Sequence, residues 1–213
     1  IRLIYNHPNH WRKIMYKIPL QVLLASCVCV AKKDIRDHFN YVKIQDGYVT
    51  ATDGHRLLLC DINGLDKSFD LFIHPDHIKE LSKGMINSAR FGDVTITIDQ
   101  TPKGDFAVMT FAQHTVRFPI VYPGNYPNTK RLVLTNNSFV DVMAQFDWQY
   151  LAGMQKVAKL LGYVQQVKVK PTGLTTPAVI EFTELNPNTR TNIAHPKYDY
   201  NFKAVGIVMP LRY

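Results

Sequence analysis

Cysteine is scarce. The 213 residues hold three, Cys27, Cys29 and Cys60, an odd number with no C-x-x-C pair and no nearby His pair. That excludes a disulfide framework and leaves zinc without a ligand set, and a reducing compartment fits such usage. Long apolar runs are missing as well. The best candidate, Ile18 to Ala31, is broken by Pro19, Gln21 and Ser26 and ends in Lys32-Lys33, short of the roughly 18 apolar residues that a membrane helix needs. It is not read as a signal peptide either, since a charged, aromatic segment precedes it and no small-residue cleavage site follows. A Gly-rich phosphate loop, an H-E-x-x-H pair and paired acidic metal ligands are all lacking, so no cofactor, no metal and no catalytic set is expected. The chain reads as a non-enzyme. Acid is the last shortage: 17 Asp and Glu stand against 25 Lys and Arg, a net charge of +8 that suggests an anionic partner such as nucleic acid or an acidic membrane surface.

What is present is an apolar content of 46%, ample for a core, and an internal order that recurs. Residues 1–14 have no assigned role. A strand at Met15-Ile18 leads into a helix from Pro19 to Lys33. Strands near Phe39-Gln45, Tyr48-Thr52 and Arg56-Ile62 follow, parted by the turn pairs Asp46-Gly47 and Asp53-Gly54. The order then repeats: strand Asp70-His74, a helix from Pro75 to Met85, and strands near Asp93-Asp99, Asp105-Phe111 and Thr115-Val121. A third round has a strand at Ser138-Gln145, a helix over Trp148-Leu161 capped by Asp147 and ended by Gly162, and strands near Val164-Lys170, Ala178-Thr183 and Lys203-Arg212. Glu184 to Asn201 reads as an inserted polar loop. The expected class is α+β, built from repeated strand-helix-three-strand units with helices on one face of antiparallel sheets. The expected division is 15–122, made of half-units 15–62 and 69–122, a linker at 123–137, and a third half-unit at 138–213.

Helical wheels add a surface to this plan. In the first helix Leu20, Leu23, Leu24, Cys27, Val30 and Ala31 share a face, with Lys32, Lys33, Gln21 and Ala25 pointing away. In the second, Ile78, Leu81 and Met85 lie opposite Lys79 and Lys83. In the third, Tyr150, Met154, Val157, Ala158 and Leu161 lie opposite Gln149, Lys156 and Lys159. Solvated helix faces usually mix signs, whereas these carry little acid beyond Asp76 and Glu80. A shared phosphate-facing surface of Lys32, Lys33, Lys79, Lys83, Gln149, Lys156 and Lys159 is therefore expected, gripping backbone without reading bases.

Asp53, His55 and Arg56 imitate a catalytic cluster, yet Asp53-Gly54 is first of all hairpin chemistry and no nucleophile accompanies it. A resemblance settles on these residues instead. Ala51 to Leu58 (ATDGHRLL) resembles the ATDGHRL turn of bacterial replicative sliding clamps, the DNA polymerase III β subunits. Ala31 to Phe39 (AKKDIRDHF), Gly124 to Leu132 (GNYPNTKRL) and Val208 to Tyr213 (VMPLRY) are similar to further segments of that family, in the same order. Tyr213, Leu211 and His38 depart from its pattern.

The resemblance implies a processivity factor, a ring around duplex DNA that tethers a polymerase and a clamp loader through short linear motifs. Its pocket would involve Phe39, Thr52, Gly54, His55, Arg56, Leu57, Pro127, Arg131, Leu132, Val208, Met209, Pro210, Leu211 and Arg212. It also implies a cytoplasmic, nucleoid-associated protein of short, phage- or plasmid-like length. Rings of that family hold about twelve such units, so three per chain favour a tetramer, with trimer and dimer as the other closures. The competing expectation is a clamp-like protein that binds polymerase or loader motifs without encircling DNA.

Overall fold

Two hairpin turns set the first sheet. Asp46 and Gly47 both take positive φ (55° and 86°), the pairing that a two-residue turn needs to match strand twist, and they join β2 (Val42–Gln45) to β3 (Tyr48–Thr52). Asp53-Gly54 then turns β3 into β4 (Arg56–Ile62). The computed structural model describes residues 15–83, 92–102, 104–134, 144–163, 167–182 and 202–211, with the side chains of 132–134 outside that set. The expected strand at Ser138-Gln145 falls almost wholly outside the described residues, as do Met85, Arg212 and the 184–201 loop.

The first two units exchange their leading strands. β1 (Met15–Pro19) joins β6 (Asp93–Thr101), β7 (Gly104–Phe111) and β8 (His114–Pro119) in a sheet of order β1-β6-β7-β8. β5 (Leu71–Ile73) in return pairs with β2. The third unit supplies β9 (Val167–Lys170), β10 (Ala178–Phe182) and β11 (Phe202–Val208), and β11 runs antiparallel to β4 from Phe202 opposite Ile62 to Val208 opposite Arg56. One seven-stranded sheet results, in the order β5-β2-β3-β4-β11-β10-β9. The α+β class with antiparallel sheets is as the sequence implies.

Three helices gather on one face of these sheets. α1 (Leu20–Ser26) packs against β3 and β1, α2 (Pro75–Leu81) against β7 and β8, and α4 (Trp148–Leu161) against β11 and β9, while α1 touches both other helices. Between helices and sheets lies the core of Ile18, Leu23, Leu58, Ile78, Ile96, Met154 and their neighbours. α4 begins at Asp147, whose carboxylate accepts the Gln149 N–H, and ends at Gly162 in the left-handed region (φ 84°).

α1 corrects the helical wheel. It stops at Ser26, whose hydroxyl donates to the Val22 carbonyl, a back-bond that weakens helices, and a Cys27-Val28-Cys29 turn follows. Gln21 and Ala25, expected to face outward, are buried because α2 and α4 flank the helix, and the Gln21 side-chain Oε1 finds no partner among the described residues. Phe39 also differs from expectation, lying in a 3-10 turn (Asp37–Asn40) ahead of β2. The linker region holds a further short helix, α3 (Thr129–Leu134), started by Asn128, whose side-chain oxygen accepts the Arg131 N–H at 3.0 Å.

α2 is tied to β8 by a ring stack: His77 lies over Phe118 at 4.5 Å, 10° from parallel. Burial first and the neighbouring His74 second hold the His77 pKa below its ordinary 6.5, with Glu80 and Asp76 opposing. The folded state thus binds this proton less readily than the unfolded chain. Its contribution to stability is complete above pH 6.5 and is lost as pH falls through the lowered folded value. Thermal melts at pH 7.5 and pH 5 check this. His77→Phe, which keeps the stack and removes the titration, is expected to show a smaller drop in melting temperature on acidification than wild type. An equal drop would exclude His77 as a source.

Candidate peptide groove and helix face

The octet around Asp53 is locked from within. The Asp53 carboxylate accepts N–H bonds from His55 (3.0 Å) and Arg56 (2.9 Å) and meets the Arg56 Nε at 2.9 Å. The Thr52 hydroxyl donates to the Arg56 carbonyl at 2.8 Å and accepts the Gly54 N–H at 3.0 Å. Gly54 sits at φ 89°, and a Cβ there would lie 3.5 Å from the Arg36 guanidinium and 3.6 Å from the Phe39 ring. Side chain, backbone and glycine together make a rigid corner.

Two other parts of the chain dock on that corner. From the third unit, α4 brings Tyr150, which stacks on His55 at 5.3 Å, and Gly153, whose bare Cα admits the Arg56 guanidinium; a Cβ there would stand 2.2 Å from Arg56 Nη1. The tail after β11 is pinned by the Met209 N–H to the His55 carbonyl and the Leu211 N–H to the Gln145 carbonyl, both at 2.8 Å. Pro210 is buried, Met209 half-buried and Leu211 exposed.

On the sheet face away from the helices, Leu57, Leu59 and Ile207 form a small separate apolar cluster with Tyr48 against it. The linker crosses this face. Beside it lies a cleft of about 230 Å³ lined by Tyr48, Thr50, Leu59 and the linker residues Tyr126, Pro127 and Lys130, among others. Tyr126 is turned inward near Phe39, His38 and Phe72, and burial pushes its phenol above the ordinary tyrosine range, partly offset by the Thr52 backbone. Of the residues expected to line a pocket, Phe39, Thr52, Gly54, His55 and Arg56 share the corner, Met209, Pro210 and Leu211 reach it through the tail, and Leu57 and Pro127 belong to the linker-crossed face. Val208 is a correction. It is fully buried in the main core, because alternation along β11 gives the outer face to Ile207. Arg131 is exposed on α3, the Leu132 side chain is outside the described set, and Arg212 is outside it altogether. Ile207, Leu59, Tyr126, Tyr150 and Gly153 are absent from the pocket that the sequence implies. Gly153 had a signal, a glycine in the middle of an otherwise well-favoured helix.

The helix face is less uniform than expected. Gln149, Lys156 and Lys159 are exposed on α4, and Lys79 is exposed on α2 beside Asp76, at 3.0 Å. Lys83 lies just beyond the end of α2. Lys32 and Lys33 are exposed but stand in the loop after α1, with Lys33 at φ 59°, so α1 itself offers no cation. Burial pushes the Cys27 and Cys29 thiols up to about 12 and Cys60 higher still, so none is a thiolate near neutral pH. Among the described residues no three His, Cys, Asp or Glu gather as a metal site. No helix among them is long and apolar enough to cross a membrane.

The sequence matches no family model and no curated protein. The structure does match solved ones. A DNA polymerase sliding clamp from Pseudomonas aeruginosa, solved with ligand, superposes with a TM-score of 0.60 at 15% identity, over 98% of this chain and 69% of that one. The sliding clamp of Bacillus subtilis gives 0.55 at 17% identity, covering 98% and 67%. The DNA polymerase III β subunit of Thermotoga maritima gives 0.57 at 12%, covering 99% and 68%. The chain has the sliding-clamp fold.

The joint between α4 and the corner depends on the open space at Gly153. Gly153→Leu, which would expel the Arg56 guanidinium from between Asp53 and Tyr150, is expected to lower stability by about 2 kcal/mol, read from urea midpoints. A variant as stable as wild type would show that Arg56 is not needed there.

Proposed function

We propose that the chain is a DNA polymerase processivity factor: copies of it close a ring on duplex DNA and tether replication proteins through the groove beside the Asp53 corner. The observation that carries this reading is the unbroken sheet from the first unit into the third, with α1, α2 and α4 all on one face of the sheets. An arc with sheets outside and helices inside is what a ring around DNA requires. Three units per chain favour four chains to the ring. Lys156 and Lys159, with Lys79 and Lys83, would meet phosphates without reading sequence, a grip that weakens steeply with salt and permits sliding. Lys32 and Lys33 would add to it from their loop. No catalytic step is assigned, and a place in the cytoplasm at the nucleoid follows from that role.

For the groove, the partner is an extended peptide of polymerase or clamp loader with apolar anchors. Leu57, Ile207, Met209 and Leu211 would receive them, with His55, Arg56 and Arg131 around the rim. The burial of α1 favours one second reading, in which the chain binds such peptides without encircling DNA, since only two of the three helices then offer cations.

Retention separates the two. Loaded protein should stay on a closed circular duplex and leave within minutes once the circle is cut. Lys156→Glu with Lys159→Glu should shorten that retention at least about tenfold while leaving peptide affinity unchanged. Release from intact circles at the same rate as from linear DNA would overturn encirclement. Independently, deleting residues 209–213 should weaken binding of an apolar-anchored peptide about tenfold or more, by fluorescence anisotropy, with the melting temperature little changed. Undiminished affinity would place the groove elsewhere.

A further inference from the structure

Apolar side chains that receive a partner are expected to stand open, yet those of this groove do not. Leu57, Leu59 and Ile207 face away from the helix layer and are only 4%, 6% and 3% exposed. α3 packs across β4 from that side. Its first residues touch the sheet beside the cluster: the Thr129 and Thr50 hydroxyls meet at 3.4 Å, and the Lys130 ammonium lies over the Tyr48 ring at 4.9 Å. We propose that α3 is an internal occupant of the groove, covering its apolar floor in the free chain, and that a partner peptide binds by displacing it.

Three features make that cover exchangeable. α3 is six residues long, too short to hold its helical form without the surface beneath it. Its seating is loose. The cleft of about 230 Å³ lies between the linker end of α3 and Tyr48, Thr50 and Leu59, so the cover forgoes contacts that a close-packed one would make. Its ties to the sheet are weak, since 3.4 Å is longer than an ordinary bond between hydroxyls and a lysine over a half-buried tyrosine adds little. The chain just before α3 is fixed by contrast. Tyr126 is turned inward against His38, Phe39 and Phe72, at ring distances of 6.1, 6.5 and 6.0 Å. A segment pinned at Tyr126 and lightly held beyond it swings about Pro127 and Asn128.

The sequence of α3, TKRLVL, is a short run that ends in apolar residues, the same chemistry that suits a partner peptide. One surface then serves two occupants of one kind, and their competition sets the affinity. A peptide meets an open groove only in the fraction of molecules whose α3 is lifted, so its apparent Kd is raised by the inverse of that fraction. With no partner present, the same cover keeps Leu57, Leu59 and Ile207 away from water and from unrelated apolar surfaces. The gate rests on the groove reading, and it needs neither a ring nor DNA.

The test uses the full chain and a fluorescein-labelled synthetic peptide with leucine and phenylalanine anchors. Hydrogen exchange reads α3 directly. Peptide binding should speed exchange at 129–134, whereas a peptide lying beside an undisturbed α3 would slow it or leave it unchanged. Thr50→Cys with Thr129→Cys sets two thiols where the hydroxyls now meet, and their disulfide ties α3 to β3. The native cysteines, buried or half-buried, stay out of that reaction. Oxidised protein should bind the peptide at least about tenfold more weakly than the same protein reduced, and either single cysteine should show no such difference. Asn128→Ala removes the side chain that accepts the Arg131 N–H, loosens the start of α3, and should raise affinity about fivefold with the melting temperature little changed. Exchange at 129–134 that slows or holds steady on binding would overturn the displacement, as would equal affinity in the oxidised and reduced protein. A peptide that binds none of these proteins would sink the groove reading itself, and the gate with it.

Discussion

The pairing of β4 with β11 is the constraint on which the rest depends. Through it the first and third units share one sheet, and only because they share it can α4 lie beside α1 and Gly153 lie against Arg56. Asp53, which organises the hairpin, also fixes Arg56 for that contact. The turn therefore closes a hairpin and, with the same bonds, holds the surface on which a helix from a distant part of the chain comes to rest. The docking of the tail at the His55 carbonyl belongs to the same corner. A peptide groove built here would be assembled from both units and from the linker that crosses between them.

Sheet edges explain the larger plan. A three-stranded set leaves an edge on each side, and the first two units cover one edge of each set by exchanging β1 and β5. The first and third units cover another by the β4–β11 joint.

Much of this was legible in the sequence where the signal is local. Asp46-Gly47 and Asp53-Gly54 marked their turns because positive φ and Asx bonding are properties of the residues themselves, and Asp147 with Gly162 bounded α4 for the same reason. What was not legible depended on distant packing. The apolar stripe of the first helix ran on to Ala31, but Ser26 back-bonding ends it early, and α4 buries the flank that Gln21 and Ala25 were expected to show to solvent. α3 was hidden inside what read as a linker, where only Asn128 announced a start. Val208 was assigned to the groove from its motif, and the parity of β11 turns it to the core and Ile207 outward. Resemblance pointed to the corner as a stretch of the chain; register decided which side chains face which way.

The central claim is that the helix layer faces DNA from inside a closed ring. Electron microscopy of the full chain loaded on a nicked circular duplex tests it most directly. The account predicts a closed ring with DNA through its centre and the exposed side of α4 turned to the duplex. An open arc, or a ring with α4 on its outer wall, would contradict it.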